Sequence, residues 1–238
     1  MKKNLFKAAA CVAALAASSA FAQKAGDNIV GLGLASINPD AKLGGLSSSG
    51  PFAVPFSAVT AGASGDVSSE ITGSLSWLHM YSNAIGIEAT IGLPPKHTID
   101  LRTPSPFASA AFHPAAATLK PYTPAVVAKY FFSQPGATVR PYLGLGLSWV
   151  TFHGFNVNKA DPMVAQVAGT SASASSDWTP VYNAGVIYNI NDRWSVNASV
   201  AYLPIRTTVT FVGAGGTVTR GDLKLNTTDY VVRLGYRF

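Results

Sequence analysis

Apolar and polar residues alternate along most of this chain. The last segment shows it clearly, because every second residue from Tyr230 to Phe238 is aromatic or aliphatic and the intervening residues include arginines. Seven further segments alternate in the same way, starting near residues 30, 71, 85, 126, 140, 178 and 194. A period of two is that of a β-strand with one apolar and one polar face. The pattern therefore predicts eight strands.

The connections between these segments alternate in length. Short turns lie near residues 81–83, 133–136 and 191–192, whereas long links rich in Gly, Ser, Ala and Pro lie near 38–66, 97–119, 153–176 and 213–221. An even strand number with this alternation is typical of bacterial outer-membrane barrels. The chain is therefore predicted to be all-β, an eight-stranded antiparallel transmembrane β-barrel with short periplasmic turns and long extracellular loops.

Charged residues make up 12% of the chain, roughly half the usual share for a soluble domain. In hydrocarbon every backbone N–H and C=O needs a protein partner, so a membrane sheet must close on itself and turn its apolar face outward. The alternative is a soluble β-sandwich whose apolar face is its core. The low charge and the four long links at one end favour the barrel.

Residues 1–22 are predicted to be a secretory signal peptide, because three lysines precede a short apolar run that ends in Ala-Phe-Ala. The mature barrel would then span residues 23–238. The one cysteine, Cys11, lies in the signal, which excludes disulfides and thiolate metal sites from the mature chain. No run of Lys or Arg follows the signal, so a nucleic-acid partner is not expected.

Charged residues also fall on positions predicted to face the lumen. They are Glu88, Lys129, Arg140, Asp229, Arg233 and Arg237. Buried charges require partners, so we expect a salt-bridge network, most of it near the short-turn end, that blocks straight passage of apolar molecules. An eight-stranded interior is just wide enough for side chains to fill, which excludes a water-filled general porin.

Glycines are frequent at the predicted inward positions. They are Gly31, Gly33, Gly86, Gly92, Gly144, Gly146, Gly185 and Gly235. Their missing side chains could widen the lumen, or they could relieve curvature in a small barrel. Both interpretations stay open at the sequence level.

Prolines lie near the long-loop ends of neighbouring strands. Pro94 and Pro95 are predicted on the third strand, and Pro121 and Pro124 on the fourth. Because proline cannot donate to a β-ladder, these four residues predict a lateral opening in the barrel wall. A second pair, Pro180 and Pro204, is predicted on strands six and seven. The alternative is that the prolines mark where strands fray into loops.

Enzymatic chemistry finds little support in the sequence. The four histidines, His79, His97, His113 and His153, do not have a metal-binding spacing. Lipid A deacylases, which are enzymes built on outer-membrane barrels, carry a histidine and a serine two residues apart on one strand face. None of the four histidines here is followed by a serine two residues later. We therefore expect no enzymatic activity and no cofactor.

Several segments resemble the OmpW family, which includes the alkane-uptake barrels. They are "YSNAIGIEATIGLPPKHTI", "AKYFFSQPGATVRPYLGLGLSWVTF", "YNINDRWSVNASVAYLPIRTTVTF" and the closing "LGYRF". The resemblance covers nearly the whole mature chain and implies a barrel with a narrow hydrophobic channel for small apolar molecules. The link 38–66 is unusually rich in Gly, Ser and Ala, so ligand specificity does not carry over.

The resulting expectation is an outer-membrane channel or carrier for small hydrophobic molecules, with lateral release into the membrane. The alternative is a structural or adhesive barrel that acts through its loops, which a completely filled lumen would favour. The terminal aromatics Tyr236 and Phe238 resemble the signal read by the barrel-assembly machinery. Expected partners are this machinery, outer-membrane lipids and a small apolar ligand, with the barrel acting as a monomer.

Overall fold

The computed structural model describes residues 23–103 and 111–238, so the predicted signal peptide 1–22 lies outside the described residues. The elements of the described chain follow in order. They are β1 (Asn28–Leu43), β2 (Ser47–Ser49), α1 (Ala53–Thr60), β3 (Ser64–Val67), β4 (Glu70–Met80), β5 (Ile85–Gly92), β6 (His97–Thr103), β7 (Ala111–Tyr122), β8 (Ala125–Phe131), β9 (Val139–Val157), α2 (Pro162–Ala168), β10 (Ser171–Ala174), β11 (Asp177–Asn189), β12 (Trp194–Val212), a 3₁₀ turn (Ala214–Gly216) and β13 (Val218–Arg237).

Eight strands form a closed antiparallel ring. The order around the ring is β1, β4, β5, β8, β9, β11, β12 and β13. The ring closes where β13 pairs with β1, from Ile29 opposite Arg237 to Leu43 opposite Leu223. Closure leaves no free edge in the membrane. The predicted eight-stranded antiparallel barrel is confirmed.

The outer surface of the ring is apolar, as a bilayer requires. Leu32 is 67% and Leu145 61% exposed, whereas the inward Arg140 is completely buried. Trp194 and Tyr236 pack with ring centroids 5.0 Å apart near the short turns, and a second aromatic pair, Trp149 with Trp178, lies at 5.2 Å toward the other end. Such aromatic pairs are typical of the two membrane interfaces.

Three strands continue well beyond the ~9–11 residues that cross a bilayer, since β9 and β12 have 19 residues and β13 has 20. Along these strands the apolar residues change from the outward face to the inward face. In β12 the outward residues are apolar up to Tyr202 and polar from Arg206 onward, whereas the inward Leu203 and Ile205 are buried. The strand thus changes from a membrane pattern to the pattern of a soluble sheet.

The long links at this outer end are themselves mostly structured. The hairpin of β6 and β7 pairs with β9 on one side and with β3 on the other, and the short β2 and β10 add to β13 and β12. The link predicted over 213–221 is only the 3₁₀ turn between β12 and β13. Together these strands extend the wall above the membrane. Within residues 23–103 and 111–238, no helix has the length and apolarity needed to span a bilayer.

Candidate functional site

A buried layer of charges crosses the barrel interior, and we call Glu88, Lys129 and Arg233 the charged layer. The carboxylate of Glu88 lies 2.7 Å from Nζ of Lys129 and 3.6 Å from Nη1 of Arg233. Arg233 also donates to the hydroxyls of Ser74, at 2.8 and 3.0 Å, and of Thr90, at 2.7 Å. These residues come from β4, β5, β8 and β13, so the layer ties opposite parts of the wall together.

Tyr142 continues this layer across the lumen. The Nζ of Lys129 donates to the Tyr142 hydroxyl at 3.2 Å and lies 4.3 Å from the centre of its ring, a cation–π contact. The hydroxyl in turn donates to Oδ1 of Asn197 at 3.1 Å. Each buried polar group along this line therefore has a partner, and an apolar solute would have to displace several of them.

The periplasmic end is closed by a second set of contacts around Arg140, which we call the floor. Arg140 Nη1 donates to the backbone oxygen of Gln23 at 2.6 Å, and Nη2 donates to that of Asn83 at the same distance. The amide of Gln23 donates to Asn189 at 2.9 Å. Between the floor and the charged layer lies a buried apolar cluster that includes Met80 and Phe131. The lower lumen is therefore filled.

The six predicted lumen charges thus do not form one network. Arg140 binds mainly backbone oxygens, and Arg237 pairs with Asp27 at 3.1 Å near the periplasmic rim. Asp229 makes no ion pair or hydrogen bond among the described residues, and its Oδ1 is buried without a partner. Only Glu88, Lys129 and Arg233 meet as expected. The expectation that every buried charge is paired is wrong for Asp229.

The inward glycines make room for neighbouring groups. A Cβ on Gly185 would lie 2.5 Å from the Tyr142 hydroxyl, and one on Gly31 would lie 2.7 Å from the Ser76 hydroxyl. A similar approach holds at Gly33, Gly86, Gly144, Gly146 and Gly235, whereas Gly92 has only ordinary contacts. These glycines therefore allow the lumen to be packed, and the space beside them is occupied rather than hollow.

Above the membrane the interior opens into what we call the upper cavity, of about 110 Å³. Its lining is aliphatic or aromatic apart from Thr60, whose hydroxyl donates to the backbone oxygen of Phe56 at 2.8 Å. Leu43, Phe155 and Val209 are typical lining residues, and α2 contributes Met163, Val164, Val167 and Ala168. The extension beyond the bilayer thus encloses an apolar binding space.

A smaller space, the lower cavity of about 50 Å³, adjoins the upper one. The two share four lining residues, which are Val67, Ile99, Leu119 and Leu223. The lower cavity also carries a few polar residues, namely His97, Thr123, Thr227 and Asp229. The shared lining places the two cavities side by side, with the lower one nearer the wall.

The wall beside the lower cavity is interrupted. The ladder between β5 and β8 ends at Thr90 opposite Ala125, and β7 leaves this seam to pair with β9. No backbone hydrogen bond among the described residues joins 91–96 to 121–124. We call this interruption the side gap. Leu93, Pro95 and Pro121 line the lower cavity beside it.

The predicted prolines therefore need a correction in position. Pro94 and Pro95 lie beyond the end of β5, Pro124 precedes β8, and Pro121 belongs to β7. None of the four lies within the ladder between β5 and β8, because a residue without an N–H cannot extend it. The four residues nonetheless border the same seam of the wall.

The second proline pair borders an interruption that side chains close. The ladder between β11 and β12 ends at Tyr182 opposite Tyr202, two positions before Pro180 and Pro204. Here Thr179 donates to the backbone oxygen of Pro204 at 3.1 Å, and neither proline lines the upper or the lower cavity. The two seams thus differ, because Pro95 and Pro121 of the first line the lower cavity, whereas the prolines of the second line neither cavity.

A buried cluster on the extracellular side fixes the helix that lines the upper cavity. Asp161 accepts hydrogen bonds from the backbone N–H groups of Met163 and Val164 and so caps α2, and its Oδ2 lies 2.6 Å from Nδ1 of His113. Thr103 contacts the other ring nitrogen of His113 at 3.2 Å. Desolvation opposes ionisation, but the hydrogen bonds from His113 and the backbone outweigh it and lower the pKa of Asp161.

No spacing in the sequence predicts this cluster, because Thr103, His113 and Asp161 lie on separate segments. His97 and His113 are both buried, and they are not paired with each other across the hairpin of β6 and β7. No cluster able to hold a metal ion occurs in the part of the chain that the structure describes. Tyr236 and Phe238 lie at the outer face of the last strand, with Phe238 69% exposed.

Comparison with known proteins now places the chain. The model of the OmpW family matches residues 24–238. The chain belongs to the OmpW family. The outer membrane protein W of Escherichia coli (strain K12) is 29% identical over 239 residues, which cover 99% of this chain and 100% of that protein. Like these relatives, this OmpW family member is an outer-membrane protein.

Solved structures share the OmpW fold. The outer membrane protein OprG from Pseudomonas aeruginosa superposes with a TM-score of 0.77 at 22% identity, covering 92% of this chain and 99% of that one. The outer membrane protein AlkL, solved in lipid bilayers, gives a TM-score of 0.62 at 17% identity, with 93% and 94% covered. At these identities the likeness establishes the fold of this OmpW family barrel.

Proposed function

We propose that this protein lets small apolar molecules pass from the outside into the outer membrane, without catalysing a reaction on them. The observation that carries the proposal is the pair of adjoining, mainly apolar cavities, the lower of which is lined by residues beside the side gap. Apolar linings with few polar groups are typical of sites for hydrophobic ligands.

The closed lower lumen supports a sideways exit. Passage to the periplasm through the lumen would separate Glu88 from Lys129 and Arg233, and would then require opening the contacts of Arg140 at the floor. Breaking a buried ion pair costs on the order of 3–5 kcal/mol. An apolar solute supplies no compensating interaction, so this route is strongly disfavoured.

The side gap offers the opposite energetics. A molecule that leaves between residues 91–96 and 121–124 breaks no ladder hydrogen bond, because the ladder already ends at Thr90 and Ala125. It then enters hydrocarbon, where its apolar surface is favourably placed at about 25 cal/mol per Å² removed from water. Release into the membrane at this place therefore requires side chains to move but no strand pair to separate.

A disulfide across the side gap tests this route. Gly92→Cys combined with Thr123→Cys occupies the positions that would pair two residues beyond Thr90 and Ala125 if the ladder continued. A Cβ on Gly92 meets only ordinary contacts, so the first change is tolerated. We expect oxidation of this pair to abolish most n-octane uptake by cells that express the protein, and reduction to restore it.

The matched control is Thr90→Cys with Ala125→Cys, a pair already joined in the ladder. Its oxidation should leave uptake unchanged, because it closes nothing. Crosslinking is verified for both pairs by mass spectrometry. Uptake that is indifferent to a complete crosslink between positions 92 and 123 would contradict exit through the side gap.

A further inference from the structure

Asp229 is the acidic residue whose carboxyl stays unpaired inside the described barrel, where the other buried side-chain atom without a partner is Nε of Arg140 at the floor. It lines the lower cavity, its Oδ1 is buried, and no described residue forms a hydrogen bond or an ion pair with it. Its ladder partners on the two neighbouring strands are Ile37 and Ala201, which are both apolar. A buried carboxyl in such surroundings is costly unless something supplies a hydrogen bond.

The nearest cation on the same strand is already engaged. Arg233 lies four residues along β13, and its guanidinium contacts Glu88, Ser74 and Thr90. Lys129 is likewise held by Glu88 and Tyr142. Asp229 is therefore not an outlying member of the charged layer.

His97 gives the same cavity a second polar atom. Its Nδ1 lies 2.7 Å from the backbone oxygen of Ser68, which can only accept, so Nδ1 carries the proton of that hydrogen bond. In the neutral ring Nε2 is then an acceptor, and no hydrogen bond to Nε2 is found within residues 23–103 and 111–238. His97 and Asp229 both line the lower cavity.

We propose that the lower cavity binds the hydrogen-bond-donating head of a small amphiphile, a primary alcohol or a primary alkylammonium, and that Asp229 is its main acceptor. The apolar tail lies in the upper cavity, whose one polar lining residue, Thr60, already donates its hydroxyl to the backbone oxygen of Phe56. A carboxylate head has no hydrogen to donate to Asp229, so it gains no hydrogen bond there. This inference rests on the proposed uptake function and names its preferred class of substrate.

Nuclear magnetic resonance of the side-chain carboxyl carbons tests binding directly. The full-length mature protein in lipid nanodiscs carries ¹³C-labelled aspartate, and the Asp229 signal is assigned by its loss in Asp229→Asn. We expect 1-octanol and octylammonium to shift this signal and n-octane and octanoate to leave it in place. Absence of a shift with both donors, or an equal shift with n-octane, would overturn the proposal.

Uptake by variants separates the two head groups. Asp229→Leu should lower 1-octanol uptake about tenfold relative to n-octane uptake, as expected for the loss of one strong hydrogen bond. Asp229→Asn keeps an acceptor, so it should preserve part of the 1-octanol uptake but reduce octylammonium uptake as much as Asp229→Leu does. Unchanged ratios in both variants would overturn the proposal.

Thermal unfolding of the same variants tests whether Asp229 has a structural role instead. Because the carboxyl has no partner to lose, Asp229→Leu should unfold at the same temperature as the parent or higher. A lower unfolding temperature would reveal a structural partner and overturn the proposal. If n-octane uptake did not depend on the protein at all, the proposed function would be refuted. The shift of the Asp229 carboxyl signal with 1-octanol would still report whether the lower cavity binds that ligand.

Discussion

Glu88 is the one acid between two buried cations in the charged layer. Its Oε2 contacts both Lys129 and Arg233, and its own side chain is almost fully buried. The cations also donate to hydroxyl groups of three strands, those of Tyr142, Ser74 and Thr90, so the position of Glu88 determines how these groups are arranged. Removing its charge leaves two cations in a low-dielectric interior without an opposite charge.

Glu88→Gln should therefore destabilise the barrel by about 3–5 kcal/mol, the usual cost of breaking a buried pair by removing one partner. The measurement is urea unfolding of the protein in lipid vesicles. The control is Asp66→Asn, which removes an exposed ion pair with Arg102 at 3.7 Å and should cost less than about 1 kcal/mol. Equal effects of the two changes would show that the charged layer does not stabilise the fold.

The sequence predicts which way these side chains point but not what they contact. Strand alternation correctly placed Glu88, Lys129 and Arg233 inside, because facing depends only on position along one strand. Partner choice depends on the register between strands and on segments outside the pattern. Arg237 meets Asp27 from the turn before β1, and Asp229 meets apolar neighbours, and neither is visible in any single strand.

At the scale of elements, β12 and β13 show a signal that the sequence contains but alternation alone overlooks. In β13 the outward residues are apolar from Tyr236 back to Tyr230 and polar at Asn226, Lys224 and Asp222, while the inward Leu225 is buried. A change of face at constant period marks where a strand leaves the bilayer. The segments predicted to be long links from their Gly and Ser content therefore include strands, and these strands help to line the upper cavity.

The helix α2 depends on a single capping residue. Asp161→Ala removes both backbone hydrogen bonds at its first turn and the contact with His113, and should cost about 1 kcal/mol locally. Amide hydrogen exchange at Val164 and Val167 should quicken accordingly. Asp40→Ala, at an exposed pair with Lys42, is the control and should leave these amides unchanged. Unchanged exchange in Asp161→Ala would refute the capping role.

The same helix should respond to acid. Because the folded protein lowers the pKa of Asp161, its contribution is complete above the ordinary carboxyl pKa of about 4 and is lost as the pH falls through the lowered value. Protection of the α2 amides, corrected for intrinsic exchange, should thus persist at pH 5 and decrease progressively as the pH falls below about 4, in the parent protein but not in Asp161→Ala.

At the scale of the whole molecule, the last residue is expected to matter more for assembly than for stability. Deleting Phe238 removes one exposed aromatic group and should lower the amount of protein in the outer membrane, as measured in purified membranes. Phe132→Ala is the control, since Phe132 is 60% exposed against 69% for Phe238. Equal amounts of both variants and the parent would contradict an assembly signal at the C-terminus.

The barrel wall meets different surroundings at its two ends. Its lower part faces lipid on the outside and is filled by the charged layer, an apolar cluster and the floor on the inside. Its upper part faces water on the outside and is apolar on the inside. The two regimes meet beside the side gap, where the ladder between β5 and β8 stops. An apolar molecule in the upper cavity therefore finds its next apolar surroundings sideways in the membrane.

Photolabelling tests this account most directly. A diazirine-bearing alkane is activated with the protein in native outer membranes, and adducts on inward-facing residues are located by mass spectrometry. Lateral release predicts adducts at Leu119 and Leu223, which line both cavities, and at Thr123 beside the side gap. It predicts none at Met80 or Phe131, which lie between the charged layer and the floor. Adducts at Met80 or Phe131 would show that apolar molecules cross the charged layer, and would contradict lateral release.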